Sequence, residues 1–461
     1  MKDIALVVTS SLALIAAAAG FASADRIKEI DVIENTKTTD QTVMVIAGIE
    51  VGDDWRPDMT EQVKADLVNS GLFKDADVFS QPVSGGVKVT IRAKDKHSWV
   101  IAPTVYNQPT NKGGGIGFGE NNLFGENKKL LLYAQVATGD SFFIGAYVDP
   151  SIAGTRFFWQ YDLFLRSERV FEYAAPKEWF DDPEQVRRSR LNYFNSGVKA
   201  GVNLMRGFAL GARLRGAYLY YDDTEIVEGV CVEDVLGDPT GTGACTLPTD
   251  LTMVPDPGAE GWDVSSELSL VFDRTANWYG IFSGNKYALS LEKSLPELGS
   301  DFDYWYAAAQ YVRARKYFSR HNLIIKAIAG YGDNMPFQQE WTSGGPDQRG
   351  LKNRQLRGNL RLSGTTEYSI PLVTIAGWAF RGLAFYDTSY TAFVDTDPAT
   401  SQRNYLPDHE RHGFAPFKNT VGLGTRLYVR QIVLPLLGLD FGYGIERREW
   451  EMYFAIGLTA F

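Results

Sequence analysis

The chain has two cysteines and four histidines among 461 residues, and beyond its first two dozen residues it has no apolar run of 18. With so few thiols, a small disulfide-stapled scaffold is excluded, as is the paired cysteine spacing of a structural zinc site. The absent apolar runs exclude a bundle of membrane-spanning helices. Basic residues are outnumbered, giving a formal charge of -10, and residues 25–96 hold 10 basic against 14 acidic residues. Neither part presents the polybasic surface that a phosphate backbone requires, so nucleic acid is not an expected partner. Phosphate-cradling Gly-Lys-Ser/Thr loops and G-x-S-x-G elbows are also missing. His409 and His412 lie in a polar His-Glu-Arg-His stretch without the i, i+4 spacing of a helical zinc site. The glycines of Gly113–Gly119 miss the dinucleotide-binding spacing and have no βαβ unit around them. No enzyme activity and no cofactor or metal is expected.

What is abundant is apolar surface in short pieces. Hydrophobic residues make up 44% and aromatics 13%, with 45 glycines, a composition that fits many amphipathic strands. The single helical-type run, Ile4 to Phe21 after Lys2, is followed by Ala22, Ser23 and Ala24 before Asp25. This is the pattern of a secretory signal peptide over residues 1–24, with an uncleaved anchor as the alternative. In an exported chain Cys231 and Cys245, which flank a Gly-, Asp-, Pro- and Thr-rich stretch, are expected to pair, two free thiols being the other possibility. Closing that loop of about 15 residues would restrict the unfolded chain by roughly 3 kcal/mol in the entropic model.

Residues 25–96 read as a small βααββ domain. Ile27, Ile30 and Val32 begin a strand, and residues 39–47 suit a short helix. A second helix carries Met59, Val63, Leu67 and Val68 at 3.6-residue spacing, with Asp58 as its N-cap and Gly71 at its end. A hairpin turning at Gly85-Gly86 follows. From Trp99 onward the helical period vanishes and about 16 segments of roughly ten residues recur, the last being Trp450 to Phe461. An even number lets an antiparallel sheet close on itself, which leaves no backbone group unpaired in hydrocarbon. Gly139-Asp140 and Ser319-Arg320-His321 read as short periplasmic turns. Residues 168–189, 222–261, 332–360 and 395–417 read as long outward loops. The fold expected is therefore a transmembrane antiparallel β-barrel of about 16 strands, residues 97–461, behind one small βααββ domain.

Several motifs fall in a recognisable order. Asn35, Gly48, Gly52, Ser70-Gly71-Leu72-Phe73 and Gly85-Gly86-Val87 resemble a POTRA (polypeptide-transport-associated) domain. Gly115–Gly119, Asn121–Gly125 and Asp149-Pro150 resemble the opening strands of the outer-membrane β-barrel assembly (BamA/TamA-like) superfamily. Further on, Gly345–Leu351 (GPDQRGL), Glu367–Leu372, Phe385-Tyr386-Asp387, Gly422–Arg426, Asp440–Tyr443 and the terminal Phe461 are similar to that superfamily's inward loop and later strands. The chain thus resembles a surface-antigen type barrel with a single POTRA domain. It departs from the pattern at Gln348 and Leu351, which flank Arg349-Gly350 where an aliphatic and an aromatic residue are usual. It departs again at Ser389, which replaces a glycine.

The resemblance implies a bacterial outer-membrane location with the first domain in the periplasm. It implies a role in inserting outer-membrane proteins, with a polypeptide secretion pore or a passive structural barrel as alternatives. Expected partners are unfolded outer-membrane or secreted polypeptides, the lipid bilayer and accessory periplasmic proteins. Arg349 with Gly350 would pair in the lumen with Asp387, Glu367 being a rival acid, because a guanidinium cannot shed its charge. The stretch Asp75, Ala76, Asp77, Val78 and Phe79 would offer a sheet edge to an extended client, or be an edge blunted by Pro82. At the closing seam Phe454, Ile456 and Leu458 share a parity that Phe461 does not, which points to a bulge.

Overall fold

The computed structural model describes residues 25–173, 185–205, 207–226, 260–278, 280–318, 320–375, 377–394, 417–429 and 435–456. The signal-peptide run, both cysteines, Leu458 and Phe461 lie outside the described residues. The chain divides into two compact units, one ending at Trp99 and including Asn121–Lys128, the other made of Val100–Glu120 and everything from Lys129 on.

The first unit is a four-stranded sheet with two helices. Strand β1 (Asp25–Ile33) is followed by helix α1 (Asp40–Ala47), the two-residue β2 (Asp54–Trp55), helix α2 (Met59–Asn69) and the hairpin β3 (Phe73–Val83) and β4 (Gly86–Asp95). The sheet order is β2-β1-β4-β3, with β1 parallel to β4 and the other pairs antiparallel. Short β2 is an addition to the βααββ order read from sequence. Helix α1 starts where Thr39 caps the Thr42 amide. Asp58 does not cap α2: it already has helical backbone angles, and its side chain makes no cap hydrogen bond. The core is a continuous apolar cluster that includes Ile27, Val43, Val63, Leu67, Val89 and Ile91.

The second unit contains a closed barrel. Its described strands are β5 (Trp99–Gln108), β6 (Asn111–Leu123), β7 (Lys128–Ala137), β8 (Asp140–Asp149), β9 (Phe157–Tyr173), β10 (Gln185–Met205), β11 (Phe208–Ile226) and β12 (Gly261–Asp273). A short β13 (Ala276–Trp278) precedes β14 (Ile281–Ser294), β15 (Trp305–Tyr317) and β16 (His321–Asp333). Two further short strands, β17 (Trp341–Ser343) and β18 (Leu356–Gly358), pair only with each other. Then come β19 (Leu360–Ile375), β20 (Trp378–Ala392), β21 (Lys418–Val429), β22 (Pro435–Gly444) and β23 (Glu449–Ile456). Setting aside short β13, sixteen described strands form the antiparallel barrel, and each overlaps one of the segments expected from sequence.

Alternation along these strands decides which side chains meet lipid. Cross-strand neighbours Leu165, Phe194, Tyr218 and Trp262 form an exposed row on the outer face, with the Tyr218 and Trp262 rings 5.3 Å apart. Leu210, Leu214, Leu268, Leu289 and Leu291 continue the apolar face below it. From Leu210 to Tyr220 the strand rises about 25 Å at a usual tilt of about 40°. That height matches the hydrocarbon core crossed by outer-membrane barrels.

Two sequence expectations are corrected here. Residues 168–189 are not simply a loop, because β9 runs to Tyr173 and β10 begins at Gln185, making β9, β10 and β11 17, 21 and 19 residues long. The ladder continues past the aromatic row, where the apolar alternation that marks strands in sequence has ended. The Gly139-Asp140 turn is on the end of the barrel that carries the long connections, not the opposite end. Asp140 pairs with Glu168, and the Arg169 amide donates to the Gly139 carbonyl. Turns two strands apart in an antiparallel barrel must emerge on the same side.

Candidate functional site

Residues 334–359, between β16 and β19, turn back into the barrel, and their tip meets the inner wall. The tip residues Gln348, Arg349 and Leu351 are 1%, 2% and 2% exposed. Room for the tip comes from small inward positions. A Cβ on Gly442 would lie 2.8 Å from the Arg349 carbonyl carbon, and one on Gly444 would lie 2.7 Å from the Gly350 oxygen. Gly350 itself has φ +100, and a Cβ there would meet Thr420 at 2.6 Å. A side chain at that position would therefore strain the backbone and collide with β21.

Arg349 is the centre of a charged network. Its Nε and Nη2 donate to the two Asp387 oxygens at 2.9 Å each, and its amide donates to Asp387 at 3.2 Å. Through Nη1 it donates to Glu367 at 2.7 Å and to Asp440 at 3.2 Å. Its guanidinium carbon is 3.5 Å from the centre of the Phe385 ring. Arg426 on β21 grips Asp440 from the other side with contacts of 2.5 and 2.6 Å. Both sequence-named acids are thus within reach of Arg349. Asp440 and Arg426, quoted in sequence only as parts of a motif, join them. Two guanidinium groups face three carboxylates, and Arg349, Asp387, Arg426 and Asp440 are buried, so each charge depends on the others for compensation.

Two of the three positions that depart from the resembled pattern, Gln348 and Ser389, touch each other. Ser389 donates to the Gln348 side-chain oxygen, and Gln348 donates to the Lys418 carbonyl at 2.7 Å.

A second cluster, on the facing wall, was not found from sequence. Arg215 on β11 donates to Glu292 at 2.8 Å, Asp263 at 3.1 Å and Ser265 at 3.0 Å, and Tyr306 donates to Glu292 at 2.5 Å. Gln339 of the loop donates to Asp263 at 3.0 Å. Next to it Phe337 packs with Val170, Leu191, Leu219, Tyr221, Phe302 and Tyr304, under the Arg357 guanidinium at 3.6 Å. Arg357 also pairs with Glu340 at 2.8 Å. The loop is therefore anchored near its base as well as at its tip. Wall residues such as Arg215, Asp263, Ser265 and Glu292 sit in ordinary strand patterns and Phe337 and Gln339 in a connecting segment, so no sequence signal marks the set.

At the seam β23 pairs with β5, with Phe454, Ala455 and Ile456 opposite Asn107, Tyr106 and Val105 among the described residues. On its other side β23 pairs with β22 all along Leu437–Gly444. Ile456 faces outward, whereas Tyr453 and Ala455 are buried inside.

In the first unit β3 is the sheet edge. Ala76 and Val78 face the core, while Asp75 and Phe79 are exposed. Asp77 is tied to Lys64 at 2.7 Å and to Arg92, and these hydrogen bonds hold its carboxyl below the usual range. Asp95 accepts the amides of Thr36, Lys37 and Thr38 and the Thr38 hydroxyl. Burial alone would raise its pKa, but these donors bring it below the usual value. Among the described residues no cluster of His, Cys, Asp and Glu is arranged to hold a metal.

An inward loop fixed by arginine in a closed 16-strand barrel narrows the choice of family, and comparison with known proteins decides it. Residues 122–459 match the Omp85 superfamily domain. The chain belongs to the Omp85 superfamily. Omp85 proteins are outer-membrane barrels of bacteria, and their assembly and secretion members are not enzymes. This Omp85 chain is 21% identical over 397 residues to the outer membrane protein assembly factor BamA of Neorickettsia risticii (strain Illinois). That match covers 80% of this chain and 47% of BamA, so the chain spans about half the length of the curated relative it matches. Among solved structures, BamA from Haemophilus ducreyi lacking POTRA domains 1–3 is similar at TM-score 0.58 and 13% identity, covering 94% of this chain and 84% of that one. CdiB from Escherichia coli is similar at TM-score 0.62 and 14% identity, covering 94% and 76%. CdiB from Acinetobacter baumannii has a TM-score of 0.61 at 14% identity, covering 94% and 74%. These likenesses establish the fold.

Proposed function

We propose that this Omp85 barrel inserts other outer-membrane proteins, with its N-terminal unit in the periplasm receiving unfolded polypeptide. The observation that carries this reading is the junction of the first and last barrel strands, where Phe454–Ile456 of β23 lie opposite Val105–Asn107 of β5 among the described residues. If this junction opens, it offers two unpaired strand edges within the membrane. A client strand can pair with such an edge, and the client's own burial then drives insertion without a cofactor. Exposed Phe79 beside the β3 edge supports a docking role for the first unit, since a client strand added there would lie against it. Crosslinks should therefore be sought from Phe79, because Val78 is in the core. In that setting the arginine network at Arg349 serves as a lock holding the loop inside.

The test is folding of a urea-unfolded outer-membrane barrel into liposomes that contain the purified chain. Acceleration over empty liposomes, abolished by a disulfide between Val105→Cys and Ile456→Cys, is the expected result. Native migration of the purified barrel without any acceleration would remove the insertase reading and favour a secretion pore or a passive barrel.

A further inference from the structure

The arginine side chain and the backbone of the loop tip are held by different parts of the wall. Arg349 is bound by β19, β20 and β22 through Glu367, Asp387 and Asp440. The peptide that follows it is gripped by the last hairpin. Tyr453 on β23, fully buried, donates from its hydroxyl to the Leu351 carbonyl at 2.6 Å and accepts the Gly350 amide at 3.3 Å. Arg447, in the turn leading into β23, donates to the Gly350 carbonyl at 3.0 Å and pairs with Glu451 of β23 at 3.2 Å. The strand that receives this grip is the one whose other edge forms the seam with β5.

We infer that Tyr453 is a positioning residue that couples the inward loop to the seam, so that the seated loop holds β23 closed and its release loosens β23. The inference rests on reading the β23–β5 junction as the client-facing seam, and it names how that junction is regulated. The physical basis is the pairing of a buried hydroxyl. With the tip seated, Tyr453 has both a donor and an acceptor partner, and with the tip withdrawn it loses both inside the wall. Displacing β23 likewise orphans the Gly350 amide and leaves the Leu351 carbonyl with only the Gly345 amide, so the two movements assist each other. Such coupling is reciprocal by thermodynamic necessity: whatever frees the strand must also free the loop.

Arg447 gives the coupling a second contact on the same peptide. Its guanidinium spans Gly350 and Glu451, so the loop backbone and the β23 side chains share one donor group. The Arg349 side chain is bound by Glu367, Asp387 and Asp440 and the peptide after it by Tyr453 and Arg447, so the two grips can be mutated separately.

The experiment is backbone amide exchange of the full chain in lipid nanodiscs, following Val105–Asn107 and Phe454–Ile456 at the seam. Amides in Leu289–Leu291, in the β14–β15 ladder, are the control. Tyr453→Phe keeps the ring and removes the hydroxyl. Because exchange rates of closed strands scale with the opening equilibrium, it should speed seam exchange by roughly three- to tenfold while leaving the control unchanged. In an Arg349→Ala background, where the loop tip is already released, Tyr453→Phe should add nothing. Arg447→Met should act in the same direction as Tyr453→Phe and serves as the second variant if that one fails to fold. Unchanged seam exchange, equal acceleration at the control, or full additivity with Arg349→Ala would each overturn the coupling. The assay contains no client, so a negative result leaves the insertase reading intact. A positive result would stand even if no insertase activity were found.

Discussion

At the residue scale, the lumen of this barrel shows why buried charge is informative when it cannot be neutralised. Arg349 is 2% exposed and meets Asp387, Glu367 and Asp440, and Asp387 takes its Nε, Nη2 and backbone amide, so neutralising Asp387 removes most of its charge-assisted hydrogen bonds. Asp387→Asn should destabilise the seated loop by about 1.5–3 kcal/mol, the loss of hydrogen bonds to a charged group. Protease cleavage within residues 334–359 of the intact barrel would report this as faster cutting. The reversed pair Arg349→Asp with Asp387→Arg should recover part of that loss, and no recovery would count against direct pairing as the dominant contribution. Gln348 and Ser389 give a second, independent test. Gln348→Val or Ser389→Gly alone orphans a buried polar group and should cost about 1–3 kcal/mol. The double variant, which removes both partners, should be close to the native protein in heat-dependent gel migration.

At the scale of elements, the N-terminal sheet is organised by carboxylates placed to receive hydrogen bonds. Asp77 and Asp95 both titrate below the ordinary carboxylate range. A depressed folded value means that their contribution is fully present above the unfolded pKa of about 3.9 and is lost as pH falls through the folded value. Protection factors of the β1 and β4 amides of the full chain, which remove the intrinsic pH dependence of exchange, should therefore hold steady from pH 7 to about 5 and fall as the pH drops below about 4. Asp95→Asn should be less protected than the native chain at neutral pH and show a smaller additional loss of protection in acid. An equal loss in both would mean that Asp95 does not govern the acid response. The elements of the barrel were legible for a different reason. Lipid on one side and a polar lumen on the other impose a period of two, and that period marks every strand where it crosses the membrane. Beyond the row of Leu165, Phe194, Tyr218 and Trp262 the lipid is gone. Nothing in the sequence then announces that β10 begins at Gln185, well before Tyr193, although its ladder with β9 and β11 continues.

At the scale of the whole barrel, the inward loop fills the lumen and is fixed at two points, at Arg349 and around Phe337. Deleting residues 334–359 should convert a poorly conducting barrel into one with large, steady single-channel conductance in planar bilayers. Unchanged conductance would mean that the loop is not what closes the pore. Weakening only one anchor, as with Arg349→Ala, should give intermittent openings, because the Phe337 cluster still holds the base.

The amino-acid order by itself determined that the chain builds a closed antiparallel barrel, and it placed Arg349, Glu367 and Asp387 in motifs whose shared meeting point could be inferred. It did so because membrane burial leaves a local signature: alternating side chains, aromatic rows, and glycine or arginine at positions with few substitutes. Only the tertiary structure decided that Gln348 meets Ser389, that Asp440 and Arg426 complete the charged network, that Arg215 anchors a second cluster, and that Tyr453 grips the loop tip. Those contacts join strands far apart in sequence across a lumen, and residue spacing carries no record of which inward side chains face each other once a sheet has closed.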